Sequence, residues 1–536
     1  MQRLVELIKQ QRDVWENAGQ LGKRVLLASI GHGRLTATID AYLAAGLHIR
    51  GADVHLALCD GVLTACEPAT VRGVSIDTLA GHGPQESLCE RCHVKVAGIY
   101  ESLGLPFHRY SQWISPERRA TLLNDVQEFS IEDCCTYQAN GINLGEQVQA
   151  GLLRCLGREC TDDDPRIVAL ARRYLAGALI TVEVVERMIE DIKPDSVVAH
   201  HGMYVPQGIV HAVARRHDIP TAAWGTSYRN GSFIWGRNDT YHKTLLHDRE
   251  HLWVNMEWTK ECEQRIDQYL AYRRQGKGDW SWMAHSGGGA PIDTSRIWNE
   301  LGLDANKPTA CLLTNIMYDA ALFFESKAYP RMMDWLVDTV RHFHRHPEQQ
   351  LIIRIHPHEH QNDVCTQFAE QELRAAVDLP GNVAIVPSKG RLNSYDLAQL
   401  SNAVLLYGSI TGVELAPLGL PVIVAGEAWI RGKGITHDVN SRMEYHEWLT
   451  RLNDIKRLDD CVIQRAKRFA YYYFFMRMIP LSGLDTSGWP PKVGIKSLTE
   501  LRPGHDPGLD AICRSILEDR DFVFDPTDMM RACAAG

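Results

Sequence analysis

The 536-residue chain contains no apolar run long enough to cross a bilayer, which excludes a helical membrane-spanning protein. Met1 to Asp13 is polar and charged, without the apolar centre of a secretory leader. The expected location is therefore the cytoplasm, with peripheral contact at the inner membrane left open. An excess of positive charge is also missing. Lys and Arg number 57 against 66 Asp and Glu, a net charge of −9, so no general basic field draws nucleic acid. Low-complexity tracts and fixed-period repeats are absent, which removes solenoid architectures. The GxGxxG fingerprint is absent too, so the standard dinucleotide-binding turn is not expected.

What is present is an ordinary globular composition, 45% hydrophobic and 23% charged, in a chain too long for one core. Two or more domains follow. Residues 1–20 read as a helix. Strand Val25–Ile30 then runs into Gly31-His32-Gly33, a helical stretch follows, and strand Asp53–Leu58 ends in Cys59-Asp60-Gly61, a βαβ opening. Residues 60–135 read as irregular and rich in Cys and His. Strand Ser196–Ala199 leads into His200-His201-Gly202, and a further strand ends at Trp224. Gly276, Gly278 and Ser286-Gly287-Gly288-Gly289-Ala290-Pro291 mark a flexible stretch, after which a second α/β block begins. The expected division is 1–275, a linker at 276–296, a second domain at 297–458, and a C-terminal helix and tail at 459–536 that packs back across the halves. Tyr471-Tyr472-Tyr473-Phe474-Phe475 reads as a packing stripe rather than a membrane anchor.

The chain is organised around Gln350 to Thr436. Strand Leu351–Ile355 ends in His356-Pro357-His358-Glu359. Strand Ala403–Tyr407 ends in Gly408-Ser409-Ile410-Thr411-Gly412-Val413-Glu414, and a short helical segment leads to strand Val422–Gly426. Strand–helix–strand units build parallel sheets, whose ligands sit at the carboxyl ends of the strands. Ser409, Thr411 and Gly412 stand where a helix begins, and orphan N–H groups there suit a phosphate, although Ser and Thr are also ordinary helix caps. His356 donates to a phosphate or merely ends a strand with Pro357. Glu414 favours the helix dipole or binds a ribose or sugar hydroxyl. Pro417 falls inside the helical segment, where it should weaken or bend it. His32 and Asp60, each following a strand of the first half, are candidates for the base that deprotonates an acceptor hydroxyl, against the plainer reading of turn residues. His201 ends another strand and suits ligand contacts. Of the fourteen cysteines, Cys59 and Cys66 with the Cys89-x2-Cys92 pair form a candidate structural zinc site, the alternative being buried thiols. Cys134, Cys135, Cys155 and Cys160 are further candidate ligands.

The motifs carry a resemblance. Leu351 to Pro357 with Glu359, Asn393-Ser394-Tyr395-Asp396-Leu397, Tyr407-Gly408-Ser409 with Thr411-Gly412 and Glu414, and Gly432-Lys433-Gly434 with Thr436 resemble the capsule polysaccharide biosynthesis proteins of bacteria. Leu312-Leu313-Thr314-Asn315 with Tyr318-Asp319 fits the start of that family's C-terminal half. The resemblance covers about 309–480, and is looser in the first half, where His201-Gly202 and Trp224 anchor it. It implies a glycosyltransferase of the GT-B type, with two Rossmann-like α/β domains facing each other across a cleft, and a reaction that needs no metal. It is also similar to enzymes that use CMP-activated Kdo or sialic-acid-type sugars. On that likeness His356, Ser409 and Thr411 contact the donor's nucleotide and phosphate, and Asn315 and His201 line the cleft. The implied partners are a CMP- or UDP-linked sugar and a surface or capsular polysaccharide or lipid-linked glycan acceptor. A sugar-nucleotide 2-epimerase of the same fold, and a non-catalytic glycan-binding scaffold of the export machinery, are the alternatives.

Overall fold

The computed structural model describes residues 2–526 except 30–32, 72, 160, 162, 281–293, 319–324, 326 and 360–365. Most of the expected 276–296 linker lies outside the described residues. The chain forms two compact units. One comprises Met1–Leu156, Cys160–Thr244 and Phe475–Gly536, the other Gly157–Glu159 and Leu245–Phe474. The chain thus enters the second unit upstream of its glycine-rich stretch. Residues 245–275, adjoining the first half in sequence, group with the second because helix Lys260–Arg274 carries a buried ion-pair anchor there, described below.

The first unit is built on strands β1 (Arg24–Ser29), β2 (Asp53–Leu58), β3 (Phe107–Arg109), β4 (Ser196–His200), β5 (Thr221–Thr226) and β6 (Ser232–Arg237). Neighbours among β1 to β5 pair in parallel, in the order β3-β2-β1-β4-β5, and β6 turns back antiparallel on β5. The returning C-terminal segment adds Met478–Pro480 as an antiparallel edge strand on β6. Fully buried strands such as Ser196–His200 explain the continuous apolar runs in the sequence. Helix Pro165–Ile192, capped by Asp164 with Pro at its first turn, supplies much of the core through Leu170, Tyr174, Val184 and Met188.

Residues 60–135 are not irregular. They form helices Glu67–Val71, Ile76–His82, Glu86–Leu103, Pro116–Asp125 and Ile131–Cys135. The apolar face of Glu86–Leu103, Leu88, Val96, Ala97, Tyr100 and Leu103, is interrupted by charged residues that hide its period.

The second unit carries β7 (Thr309–Leu313), β8 (Gln350–Arg354), β9 (Val383–Val386), β10 (Ala403–Leu406), β11 (Val422–Val424) and β12 (His437–Asp438). All pair in parallel, in the order β9-β8-β7-β10-β11-β12. This is the doubly wound order in which the chain leaves its first strand in one direction and later returns to its other side. The switch lies between β7 and β10. Helix Asp460–Tyr471 belongs to this unit and opens into a wider turn at Tyr472–Met476, where the aromatic run is buried from Tyr471 to Phe475. Among the described residues no helix is long and apolar enough to cross a membrane.

Candidate functional site

Register places the chemistry of the second unit. Leu313 pairs with Arg354 on one side and Leu406 on the other, so β7, β8 and β10 end level. The residues that follow, Thr314-Asn315, His356-Pro357 and Gly408-Ser409, therefore emerge at one carboxyl edge, flanking the switch point. They are hydrogen-bonded together there. The Thr314 hydroxyl accepts from the His356 N–H at 2.9 Å, and the Asn315 side-chain oxygen accepts from the Gly408 N–H at 3.3 Å. A Cβ on Gly408 would stand 3.0 Å from the Glu427 carbonyl, so the strand end approaches its neighbour closely because that residue is glycine. His356 Nδ1 accepts from the His358 N–H at 3.2 Å, which leaves Nε2 as the ring nitrogen able to donate.

Ser409 and Thr411 are 2.8 Å apart through their hydroxyls, and the Thr411 N–H donates to Ser409 Oγ at 3.2 Å. The helix they open is short. Thr411–Leu415 is α-helical, Ala416–Leu418 continues as a 3-10 turn, and Gly419 ends it at φ 79°. Pro417, a helix breaker by sequence, sits in that 3-10 turn, where its missing N–H costs no α-helical hydrogen bond. A macrodipole built over many turns is therefore not what this edge offers. Its polar character comes from the hydroxyls, amide and imidazole gathered by the strand ends.

Glu414 is engaged within its own unit. It is 3% exposed, one carboxylate oxygen accepts from Arg273 at 2.8 Å, and the other from the Tyr395 hydroxyl. Arg273 also meets Asp279 at 2.6 Å, and Tyr269 donates to Asp279 at 2.8 Å. Burial pushes the Asp279 carboxyl up to about 6 against the pull of Arg273. The network pins the turn after β10 to helix Lys260–Arg274. Gly412 completes the fit, since a Cβ there would press on Ile430 and Leu406 at 3.1 Å. Lys433, between the positive-φ glycines 432 and 434, is buried, donates to the Leu246 carbonyl at 2.9 Å, and is held below its ordinary value by burial. Lys327 bridges Glu325 and Glu427 at 2.9 and 3.3 Å. Arg273 and Lys327 carried no sequence signal for their links to Glu414 and Glu427, which lie far along the chain.

In the first unit, His32 lies outside the described residues. Asp60 follows β2 and accepts from both the N–H and the hydroxyl of Ser111, at 3.0 and 2.5 Å, so both carboxylate oxygens hold the Tyr110–Ser111 turn. His201 follows β4 with φ 65°, uncommon for a side chain other than glycine, and its ring stacks on His242 at 6.0 Å and lies near Tyr204 and Tyr241. Cys59, Cys66, Cys89 and Cys92 come together around one cavity of about 30 Å³. Cys59 and Cys66 are close enough to each other and to Cys89 and Cys92 to feel their charges. Burial pushes the Cys59 thiol up to about 12 and the Cys66 thiol well above its ordinary value. Cys134, Cys135 and Cys155 do not line this cavity, and Cys160 lies outside the described residues. Among the described residues no three His, Cys, Asp or Glu side chains already stand in ion-holding geometry.

No family model and no curated protein matches the chain. Several solved structures are similar to it. A Thermosulfurimonas dismutans KpsC, a beta Kdo 2,4 transferase, is 15% identical with a TM-score of 0.33, covering 52% of this chain and 79% of that one. A UDP-N-acetylglucosamine 2-epimerase from Neisseria meningitidis bound to UDP-GlcNAc is 10% identical with a TM-score of 0.25, over 84% and 95%. The Streptomyces sp. SF2575 glycosyltransferase SsfS6 is 12% identical with a TM-score of 0.23, over 84% and 94%.

Proposed function

We propose that the chain is a glycosyltransferase that moves a sugar from a nucleotide-sugar donor to a glycan or lipid-linked glycan acceptor of a cell-surface polysaccharide. The observation that carries the reading is the level ending of β7, β8 and β10, which gathers Asn315, His356, Ser409 and Thr411 at the switch point of a six-stranded parallel sheet. The motif resemblance over 309–480 supplies the chemistry that this edge would serve.

On this reading the bond between the anomeric carbon and the phosphate oxygen breaks, and negative charge develops on the departing nucleotide. The Nε2–H of His356 and the hydroxyls of Ser409 and Thr411 are donors for that charge, and they need little reorganisation because the strand ends hold them. The acceptor hydroxyl attacks the anomeric carbon and gives its proton to a general base. Glu414 acts through position, holding the turn that carries Ser409 and Thr411.

Thermal-shift binding of CMP, CDP, UDP and GDP tests the donor site, with His356→Ala as the control. A ligand that binds only the native state raises its melting temperature. One nucleotide is expected to shift the wild type and not the variant. CMP alone would name a Kdo- or nonulosonate-type donor, and UDP a hexose or N-acetylhexosamine. No shift with any nucleotide would contradict the reading. Product analysis without acceptor separates transfer from epimerisation, because only the latter converts the donor alone.

A further inference from the structure

The four gathered cysteines reach one cavity from three segments. Cys59 leaves β2, Cys66 precedes helix Glu67–Val71, and Cys89 and Cys92 are one turn apart on helix Glu86–Leu103, so they share a face. The other lining residues are Gly61, Leu63, Pro68 and Pro206, so among the described residues thiol sulfurs are the only metal-binding side chains at its wall. The approach has a backbone requirement. Gly61 takes φ 96°, and a Cβ there would stand 3.1 Å from Cys89 Cβ.

The surroundings carry unused polarity. The Tyr110 hydroxyl is fully buried, near enough to Cys59 to feel its charge, and has no hydrogen-bond partner among the described residues. The Arg119 guanidinium approaches the Gly61 carbonyl at 3.5 Å. A buried O–H donor beside Cys59 is the kind of neighbour that a negatively charged thiolate centre uses.

We propose that Cys59, Cys66, Cys89 and Cys92 bind a thiolate-ligated metal centre at the carboxyl edge of the first unit's sheet, either one zinc ion or a small iron–sulfur cluster. The ligands are soft, which selects these metals over magnesium or calcium. The sulfurs surround a space rather than converge on a point, so ion binding includes rotation of the cysteine side chains inward. Each ligating thiol loses its proton to solvent as the metal enters. Tyr110 then donates to a sulfur, and the centre ties β2 to helix Glu86–Leu103.

The test is metal analysis of the full chain, prepared without oxygen from cells supplied with zinc and iron. About one zinc per chain with no visible absorption supports the proposal and names zinc. Iron with matching acid-labile sulfide and a visible band supports it and names a cluster. Cys89→Ser with Cys92→Ser is expected to lower metal content by at least about tenfold, while the exposed Cys461→Ser leaves it unchanged. If the double variant does not fold, titrating the wild type with an organomercurial replaces it. Metal release in step with modification of about four thiols supports the centre, and release without thiol loss overturns it. A wild type that holds no metal, even after anaerobic reconstitution, or a soluble double variant that keeps its full complement, overturns the proposal.

Discussion

Asp40 shows how burial ties the ionisation of a single carboxyl to the folded state. It is 4% exposed and accepts hydrogen bonds from Tyr100 at 3.2 Å and from Trp224 Nε1 at 3.1 Å. Burial outweighs those bonds and raises its carboxyl from 3.8 to about 6. The folded value lies above the unfolded one, so the folded state binds the proton more tightly. The stabilisation is full below about pH 4 and is lost as pH rises through about 6. A rise of about two units corresponds to about 3 kcal/mol. Asp40→Asn should therefore gain stability over the wild type at pH 7.5 and lose that gain near pH 4. Denaturant melts of both proteins at the two pH values check it, and an equal difference at both would contradict the assignment. Nothing in the sequence marked Asp40, which reads as one more polar residue on a helix. Its character comes from Tyr100 and Trp224, which only the fold brings to it.

Among the elements, parallel strands were the most legible. Leu351–Ile355 and Ala403–Tyr407 are continuous apolar runs with polar, chemistry-bearing ends, because strands buried on both faces leave no polar alternation. That Asn315, His356 and Ser409 stand at strand ends was legible for the same reason, since they follow such runs closely. Helix Glu86–Leu103 was not legible, since Arg91, His93 and Lys95 mask its apolar face. The link from helix Lys260–Arg274 to Glu414 was equally hidden, since its partners lie far apart along the chain and only folding joins them. That link carries an energetic prediction. Arg273 and Glu414 side chains are each 4% exposed, and removing the guanidinium leaves Glu414 and Asp279 without their counter-charge. Arg273→Met should destabilise the second unit by about 3–5 kcal/mol, with Arg273→Met/Glu414→Leu recovering much of it. Denaturant unfolding of the single and double variants measures the coupling. Additive losses would show that the network does not act as a pair.

At the scale of the whole molecule, the chain is two sheet-based units with chemistry at their carboxyl edges. The second unit gathers hydroxyl, amide and imidazole groups at the ends of β7, β8 and β10, and the first gathers four thiols. Residues 475–526 return to the first unit, where Met478–Pro480 joins its sheet and helix Pro507–Glu518 packs on helix Arg34–Ile49. The sequence showed the two-block plan through its repeated strand–helix–strand pattern. The return of the tail was foreseen only as a helix packing back, since the strand that does the joining is three residues long.

Hydrogen–deuterium exchange across the chain, with and without saturating nucleotide, tests the central claim most directly. The account predicts that the nucleotide selected by thermal shift slows exchange in 355–359 and 407–413, and that His356→Ala abolishes the effect. Protection confined to other segments, or none at a concentration that saturates binding, would contradict a donor site at the ends of β8 and β10.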